Sequence, residues 1–180
     1  NTQETIISTF ANFDKYQVLN ADLNLQYTFG LWSPSLYLGV AKPFFEVDYL
    51  SEKIKYNQPQ YTIVTSHDFS FPKDITLSAY YMFMSAGDYG AVSFTKPIQM
   101  LNLTLKKDFF DKKLSVSLKG YDIFHTTKYK ERMRTGNVDY TQTEDYNMWN
   151  YSISLIYRFN QKIKSKYRGK STVEDDVNRL

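Results

Sequence analysis

Apolar and polar positions alternate along most of the chain. The clearest stretch is residues 19–29. Leu19, Ala21, Leu23, Leu25, Tyr27 and Phe29 share one parity, and Asn20, Asp22, Asn24, Gln26 and Thr28 share the other. Side chains two apart point to the same side of an extended strand, so this period predicts a strand with one apolar and one polar face. Ile75, Leu77, Ala79, Tyr81 and Phe83 repeat it against Thr76, Ser78, Tyr80 and Met82. Leu101, Leu103 and Leu105 alternate with Asn102, Thr104 and Lys106, and Leu114, Val116 and Leu118 with Ser115, Ser117 and Lys119. Near the end Tyr151, Ile153, Leu155, Tyr157 and Phe159 stand against Ser152, Ser154 and Arg158, with Ile156 the one apolar residue on the polar row. Weaker alternation covers residues 5–13, 35–41 (interrupted by Pro43) and 61–71, where Thr65 and His67 sit on the apolar parity. The pattern predicts eight strands and no helix before residue 160.

The connections between these strands alternate in length. Leu31-Trp32-Ser33-Pro34, Pro72-Lys73-Asp74 and Asp111-Lys112-Lys113 read as tight turns. Residues 50–60, 85–97 and 125–148 read as longer polar loops. Antiparallel strands reverse direction at each connection, so tight turns belong on one rim and long loops on the other. Strand eight is expected to end at Phe159 on the tight-turn rim. Beyond it, Lys162, Lys164, Lys166, Arg168 and Lys170 precede Ser171-Thr172-Val173-Glu174, a capping-box spacing that allows a short terminal helix or a solvated tail. Residues 1–159 are thus expected to form one all-β region and 160–180 a tail.

Composition narrows the choice of solvent and chemistry. The 180 residues include 16 Tyr and 13 Phe, too aromatic for a disordered chain. There is no Cys, which excludes disulfides, thiolate metal sites and cysteine nucleophiles. A formal charge of +3 gives no argument for nucleic acid. No run of 18 apolar residues exists, so no transmembrane helix is expected, but a membrane strand needs only about 9–11 residues, half of them polar. The chain opens on Asn1, so either a signal segment has been removed or the sequence is a piece of a longer protein.

Eight amphipathic strands fit a soluble barrel or sandwich, with apolar rows inward, or a membrane barrel, with apolar rows against lipid. Three features favour the membrane. Aromatics gather at strand ends, as in Phe29 and Trp32, Phe69 and Phe71, Phe109 and Phe110, Tyr146 and Trp149, Tyr157 and Phe159, where rings sit at a bilayer interface. The polar rows are rich in Asn, Gln, Ser and Thr, whereas a water-facing surface carries more charge. Charge concentrates in turns and loops. The expected fold is an all-β, antiparallel up-and-down meander forming a transmembrane β-barrel, either a small closed barrel or an arc of a larger one. Leu23, Leu25, Leu103, Leu105, Ile153 and Leu155 should then face lipid, and Asn24, Thr104 and Ser154 the interior.

The run Leu105-Lys106-Lys107-Asp108-Phe109-Phe110-Asp111-Lys112-Lys113-Leu114-Ser115-Val116-Ser117-Leu118, followed by Tyr121-Asp122-Ile123-Phe124, resembles the penultimate hairpin of Bacteroidetes outer-membrane β-barrel proteins of the TonB-dependent receptor type. Phe71-Pro72-Lys73 with Tyr89-Gly90 and Lys96-Pro97, Thr5 through Asn12, and Tyr157-Arg158-Phe159-Asn160 with Tyr167-Arg168-Gly169-Lys170 and Asn178-Arg179-Leu180 are similar to that family in the same order. The resemblance implies a bacterial outer-membrane protein whose parent has a signal peptide, a plug domain, a barrel of about 22 strands and a TonB-type energiser. It implies uptake of a large nutrient such as a metal chelate, glycan or peptide, with no transport by this segment alone. Nothing in the chain matches a plug. The alternatives are a self-contained small barrel acting as anchor or adhesin, and a soluble lipocalin-type carrier.

No catalytic constellation, cofactor motif or metal cluster stands out, and no enzyme activity is expected. Asp139, Glu144 and Asp145 share the longest loop, where carboxylates are solvated charge or, at the margin, a calcium site. His67 reads as a rim or packing residue, with Asp68 on the opposite face. Lys128, Lys130, Arg132 and Arg134 form an alternating basic run, a solvated loop or a grip for anionic substrate or lipid phosphate. Tyr89, Phe94 and Tyr140 are loop aromatics able to stack on ligand rings. The terminal row Tyr151, Ile153, Leu155, Tyr157 and Phe159 resembles the signal read by the barrel-insertion machinery.

Overall fold

The computed structural model describes residues 15–159. These residues form twelve antiparallel strands and no helix: β1 (Gln17–Gln26), β2 (Trp32–Tyr49), β3 (Glu52–Tyr56), β4 (Gln60–Phe71), β5 (Ile75–Met84), β6 (Gly87–Tyr89), β7 (Val92–Phe94), β8 (Ile98–Phe109), β9 (Leu114–Tyr121), β10 (Lys128–Thr135), β11 (Val138–Asp145) and β12 (Asn150–Tyr157). Seven of them, in the order β1-β2-β4-β5-β8-β9-β12, make a meander with β3 added to the upper part of β2. Four short strands make a second sheet, β11-β10-β7-β6. Among the described residues the large sheet does not close, because β1 and β12 are not paired with each other.

The registers carry the sequence parity across the sheet. One row runs through Trp32, Phe69, Leu77, Leu105, Leu118 and Ile153, and another through Leu23, Leu38, Ile63 and Phe83. The alternate row, Ser33, Asp68, Ser78, Thr104, Lys119 and Ser152, lies on the other face. The apolar face is open: Leu25 is 53% exposed, Leu105 43% and Ile153 73%. On the polar face Ser115 and Ser117 are buried. No dry core of leucines exists among the described residues of this sheet, so the outward orientation expected of the apolar rows holds.

Connections follow the expected rims. The turns after β1, β4 and β8 lie on one side, and the segments after β2, β5 and β9 on the other. Tyr157 pairs with Leu114, and the Arg158 N–H donates to the Lys113 carbonyl at 2.8 Å, which brings the end of β12 to the tight-turn rim.

Three sequence expectations are corrected. The first tight turn is Gly30–Leu31, closed by the Phe29–Trp32 bridge, so Trp32 to Pro34 belong to β2. Glycine explains the shift: Gly30 takes φ +59, a conformation that costs a residue with a Cβ. The second correction is at Pro43. β2 does not stop there but continues to Tyr49, 18 residues in all, because Pro43 pairs with Val18 while the strand changes its other partner from β4 to β3. Third, the seven expected strands that fall within the described residues become twelve, because the three polar loops contain β3, β6, β7, β10 and β11. The expected strand at residues 5–13, the tail at 160–180 and its capping box lie outside the described residues.

Candidate functional site

Beyond the long-loop rim the chain builds a cap. β2 outruns its neighbours and turns back as β3, pairing Phe45 with Tyr56 and Val47 with Ile54. Phe45, Val47 and Tyr56 are 4%, 6% and 1% exposed and pack with Ile54 and Ala91. The Tyr56 hydroxyl donates to the Arg134 carbonyl at 3.1 Å and accepts the Arg134 N–H at 3.0 Å, tying β3 to β10. The hairpin tips also meet: the Gly136 N–H donates to the Asp48 carbonyl at 2.7 Å, and the Leu50 N–H to the Gly136 carbonyl.

Two buried carboxylates hold the remaining loops. Asp88 accepts the Gln58 N–H at 2.8 Å and the Ser93 hydroxyl at 2.6 Å, fastening the β3–β4 link to β6 and β7. Asp122 accepts the Thr126 and Thr127 N–H groups at 3.0 and 3.1 Å, and its own N–H donates to Asn102 at 2.9 Å. A buried acceptor that gathers several N–H donors fixes its loop, because leaving those groups unpaired costs about 1–3 kcal/mol each.

A cleft of about 760 Å³ opens in the cap between the start of β1, the upper half of β2, β3 and the β10–β11 turn. Lys15, Lys53, Lys55, Glu46 and Asp48 line it beside Phe44. Lys55 and Glu46 pair at 3.4 Å, with both side chains well exposed. The mixture suits a polar ligand better than an apolar one.

The basic run is not a loop. Lys128, Lys130, Arg132 and Arg134 occupy alternate positions of β10, and the carboxylates expected near them stand across on β11. Arg132 grips Asp139 with two N–H groups at 2.8 and 2.5 Å, and Lys128 meets Asp145 at 2.9 Å. The Arg132 hydrogen bond therefore holds Asp139 below the usual carboxylate range, and the Lys128 bond does the same to Asp145 while raising Lys128. Glu144 is taken by Gln142 and Tyr146. The three carboxylates thus point to separate partners rather than converging on one ion. Tyr89 and Tyr140 are exposed on the cap, while Phe94 packs on Tyr129 at 6.4 Å.

The open apolar face is bounded by rings and lysines at both margins. Lys42 lies over Phe44 at 5.4 Å at the cap end, and Lys107 over Phe109 at 5.4 Å at the tight-turn end. Long amphipathic side chains can thus lay their stems on the apolar band and keep the charge at its edge. Trp32 stacks with Phe29, His67 and Phe69 at 5.5, 5.7 and 6.1 Å. His67 packs as expected. Its Nδ1 accepts from Trp32 at 3.2 Å and its Nε2 lies 3.1 Å from the Thr65 hydroxyl, while Asp68 bonds Ser78 on the other face. Tyr151, Ile153, Leu155 and Tyr157 all stand on the open face of β12, and Phe159, 81% exposed, packs edge-on against Tyr157 at 4.6 Å.

Sequence reasoning missed Phe45, Tyr56, Asp88 and Asp122. A signal for the missed hairpin was present: Gly136-Asn137 between two alternating runs is a two-residue hairpin loop, and Gly136 takes φ +59. Tyr89-Gly90-Ala91-Val92 gives the same signal, with Gly90 at φ +58.

A family model described as an outer membrane protein beta-barrel family matches residues 1–157. No curated protein and no solved structure matches the chain.

Proposed function

The chain belongs to the outer membrane protein β-barrel family and sits in the outer membrane; from that premise we propose that it is the C-terminal barrel segment of a TonB-dependent receptor-like protein whose parent takes up a large nutrient. The observation that carries this reading is the open polar wall. All ten residues of β1 are exposed, including Asn20, Asp22, Asn24 and Gln26 on the polar row, and β1 and β12 do not pair. A closed eight-strand barrel fills its interior with side chains, whereas a barrel of about 22 strands leaves room for a plug. Unpaired strand edges are not tolerated in hydrocarbon, so both edges require neighbours. In this reading the cap and its polar cleft form part of an outer surface that selects the nutrient. The plug and the energiser are its partners, and no catalytic role is assigned. The row Tyr151, Ile153, Leu155, Tyr157 and Phe159 is the segment that the insertion machinery reads.

The test is uptake in cells of the native host. Metal chelates, glycans and peptides are offered to cells lacking this gene, and separately to cells lacking the TonB-type energiser. Gene-dependent uptake that also vanishes without the energiser supports the reading. Gene-dependent uptake that survives its loss rejects it in favour of a passive barrel, and no change with any solute favours an anchor or adhesin.

A further inference from the structure

The end of the β10–β11 hairpin reaches over the interior side of the wall and rests on the far edge of β2. Two alternations along β2 place it there. The first concerns side chains. Pairing along β2 keeps one register from Trp32–Phe69 to Tyr49–Glu52, so Phe45 and Val47 continue the parity of Ser33, on the polar face. Tyr56, opposite Phe45, shares that face, and its hydroxyl holds the Arg134 backbone there. The second concerns the backbone. Successive residues of a strand turn their N–H and C=O groups to opposite edges. The Leu31 carbonyl, just before β2, turns to β4 and accepts from Ser70 at 2.8 Å; the Pro34 carbonyl turns to β1 and accepts from Tyr27 at 3.1 Å. The Asp48 carbonyl and the Leu50 N–H have the parity of Pro34, and both bond Gly136. The hairpin tip therefore sits on the edge that β1 pairs lower down, although β10 follows β9 on the opposite side of the sheet.

This end is lightly held. β7 pairs with β10 only as far as Met133. Beyond it, among the described residues, the hydrogen bonds from the hairpin to the rest of the chain are the two on Tyr56 and the two on Gly136. The apolar cluster beneath takes Phe45, Val47, Ile54, Tyr56 and Ala91, and no member from β10 or β11. Lifting the hairpin end thus frees polar groups that water can satisfy and leaves the cluster packed. Local openings of this kind cost far less than global unfolding. We propose that the end of the β10–β11 hairpin is a lid over the mouth of the barrel, latched at Gly136, which swings as one body between this contact and an open position. Its own structure survives the swing, because β10 and β11 pair along their whole length and Arg132 grips Asp139. The lid governs how a solute outside reaches the polar wall. Thr135 and Gly136 also line the cleft beside Lys15 and Lys53, so a solute held there touches the latch. The lid rests on the reading of the interior as a solute path, and it needs no energiser.

The test measures distances between spin labels in the full gene product folded into phosphatidylethanolamine vesicles. The labels sit at Asp48→Cys and Asn137→Cys; the 180 residues contain no Cys of their own, and any elsewhere in the gene product is replaced by Ser. Two separations are expected, contact and open. The open share should rise several-fold in Tyr56→Phe, which removes the hydroxyl and keeps the ring. Labels at Met133→Cys and Tyr140→Cys, paired across the hairpin, should keep one narrow separation throughout. A single short separation that Tyr56→Phe leaves unchanged overturns the lid in favour of a fixed cap. Broadening between positions 133 and 140 overturns it too, since the hairpin then frays instead of swinging. Should Asp48→Cys fail to insert, Lys53→Cys, at its exposed cross-strand partner, takes its place. In cells, oxidising the 48–137 cysteine pair should stop gene-dependent uptake, and reductant should restore it. Energised uptake indifferent to this lock rejects the lid and spares the receptor reading. Uptake that obeys the lock without the energiser rejects the receptor reading and spares the lid.

Discussion

The membrane sheet and the cap are built from one chain under opposite rules. In the sheet, large apolar residues such as Leu25, Ile153 and Leu155 are 53% to 73% exposed. In the cap, Phe45, Val47 and Tyr56 are buried to within a few per cent, and they form the compact hydrophobic cluster found among the described residues. The sheet needs no core of its own because lipid covers its apolar side and hydrogen bonds between strands satisfy its backbone. The cap stands in water and must bury apolar area to hold its loops, at roughly 25 cal/mol per Å². The same side chains therefore stabilise by contact with lipid in one region and with each other in the next.

The sharpest way to break the comparison is to remove an anchor of the cap. Phe45→Ala should cost the cap about 3–5 kcal/mol, as truncating a buried aromatic does. Proteolysis within residues 50–60 and 125–148 should accelerate, while heat-resistant migration of the membrane sheet on gels stays unchanged. Loss of both together would mean that the two regions fold as one unit. Next in size is a charge placed on either side of the sheet. Leu105→Arg should cost about 2–4 kcal/mol near the bilayer midplane, and Thr104→Arg, facing the interior, far less. Equal costs in denaturant titrations of the vesicle-folded protein would contradict the assignment of faces.

A smaller effect of opposite sign is expected at the cap tip. Leu50 takes φ +52 in the β2–β3 turn, and Leu50→Gly should stabilise the cap by about 1 kcal/mol, relieving the left-handed strain. Slower cleavage of the same loops would register it. The smallest effect is on acidity. Asp139 and Asp145 lie below their ordinary 3.8, so their contribution is full above that value and fades as pH falls through their lower folded values. Lys128 lies above its ordinary 10.5, so its contribution is full below 10.5 and fades as pH rises beyond its folded value. Amide exchange in β10–β11, corrected for intrinsic rates, should be flat between these limits and rise in acid, the more weakly at high salt because the pairs are exposed.

The contrast also explains what the sequence made legible. Two-residue alternation identified six of the meander's seven strands by themselves or nearly so, and β2 in part, because one face meets lipid and the other does not. It set the rims and the outward rows that hold Leu23 and Ile153. It failed in the cap, where strands are short and polar on both faces: Lys128 to Thr135 reads as a charged loop unless the Gly136-Asn137 turn is given weight. It also failed for contacts between segments far apart, such as Tyr56 with Arg134, since no local pattern marks a hydroxyl that will meet a backbone 78 residues away. The candidate ligand cleft was invisible for the same reason, as its lining comes from both ends of the cap.

The tip-to-tip bonds between Asp48, Leu50 and Gly136 have a kinetic consequence. The partners belong to hairpins separated in sequence by β4 through β9, so they meet only after six strands have been laid down between them. Contacts of such long sequence separation form late, after the loop-closure entropy between them has been met. The cap is therefore a clock for assembly: its burial of Phe45 and Tyr56 should be among the last events on the way to the folded wall, and a pulse of hydrogen exchange would time it.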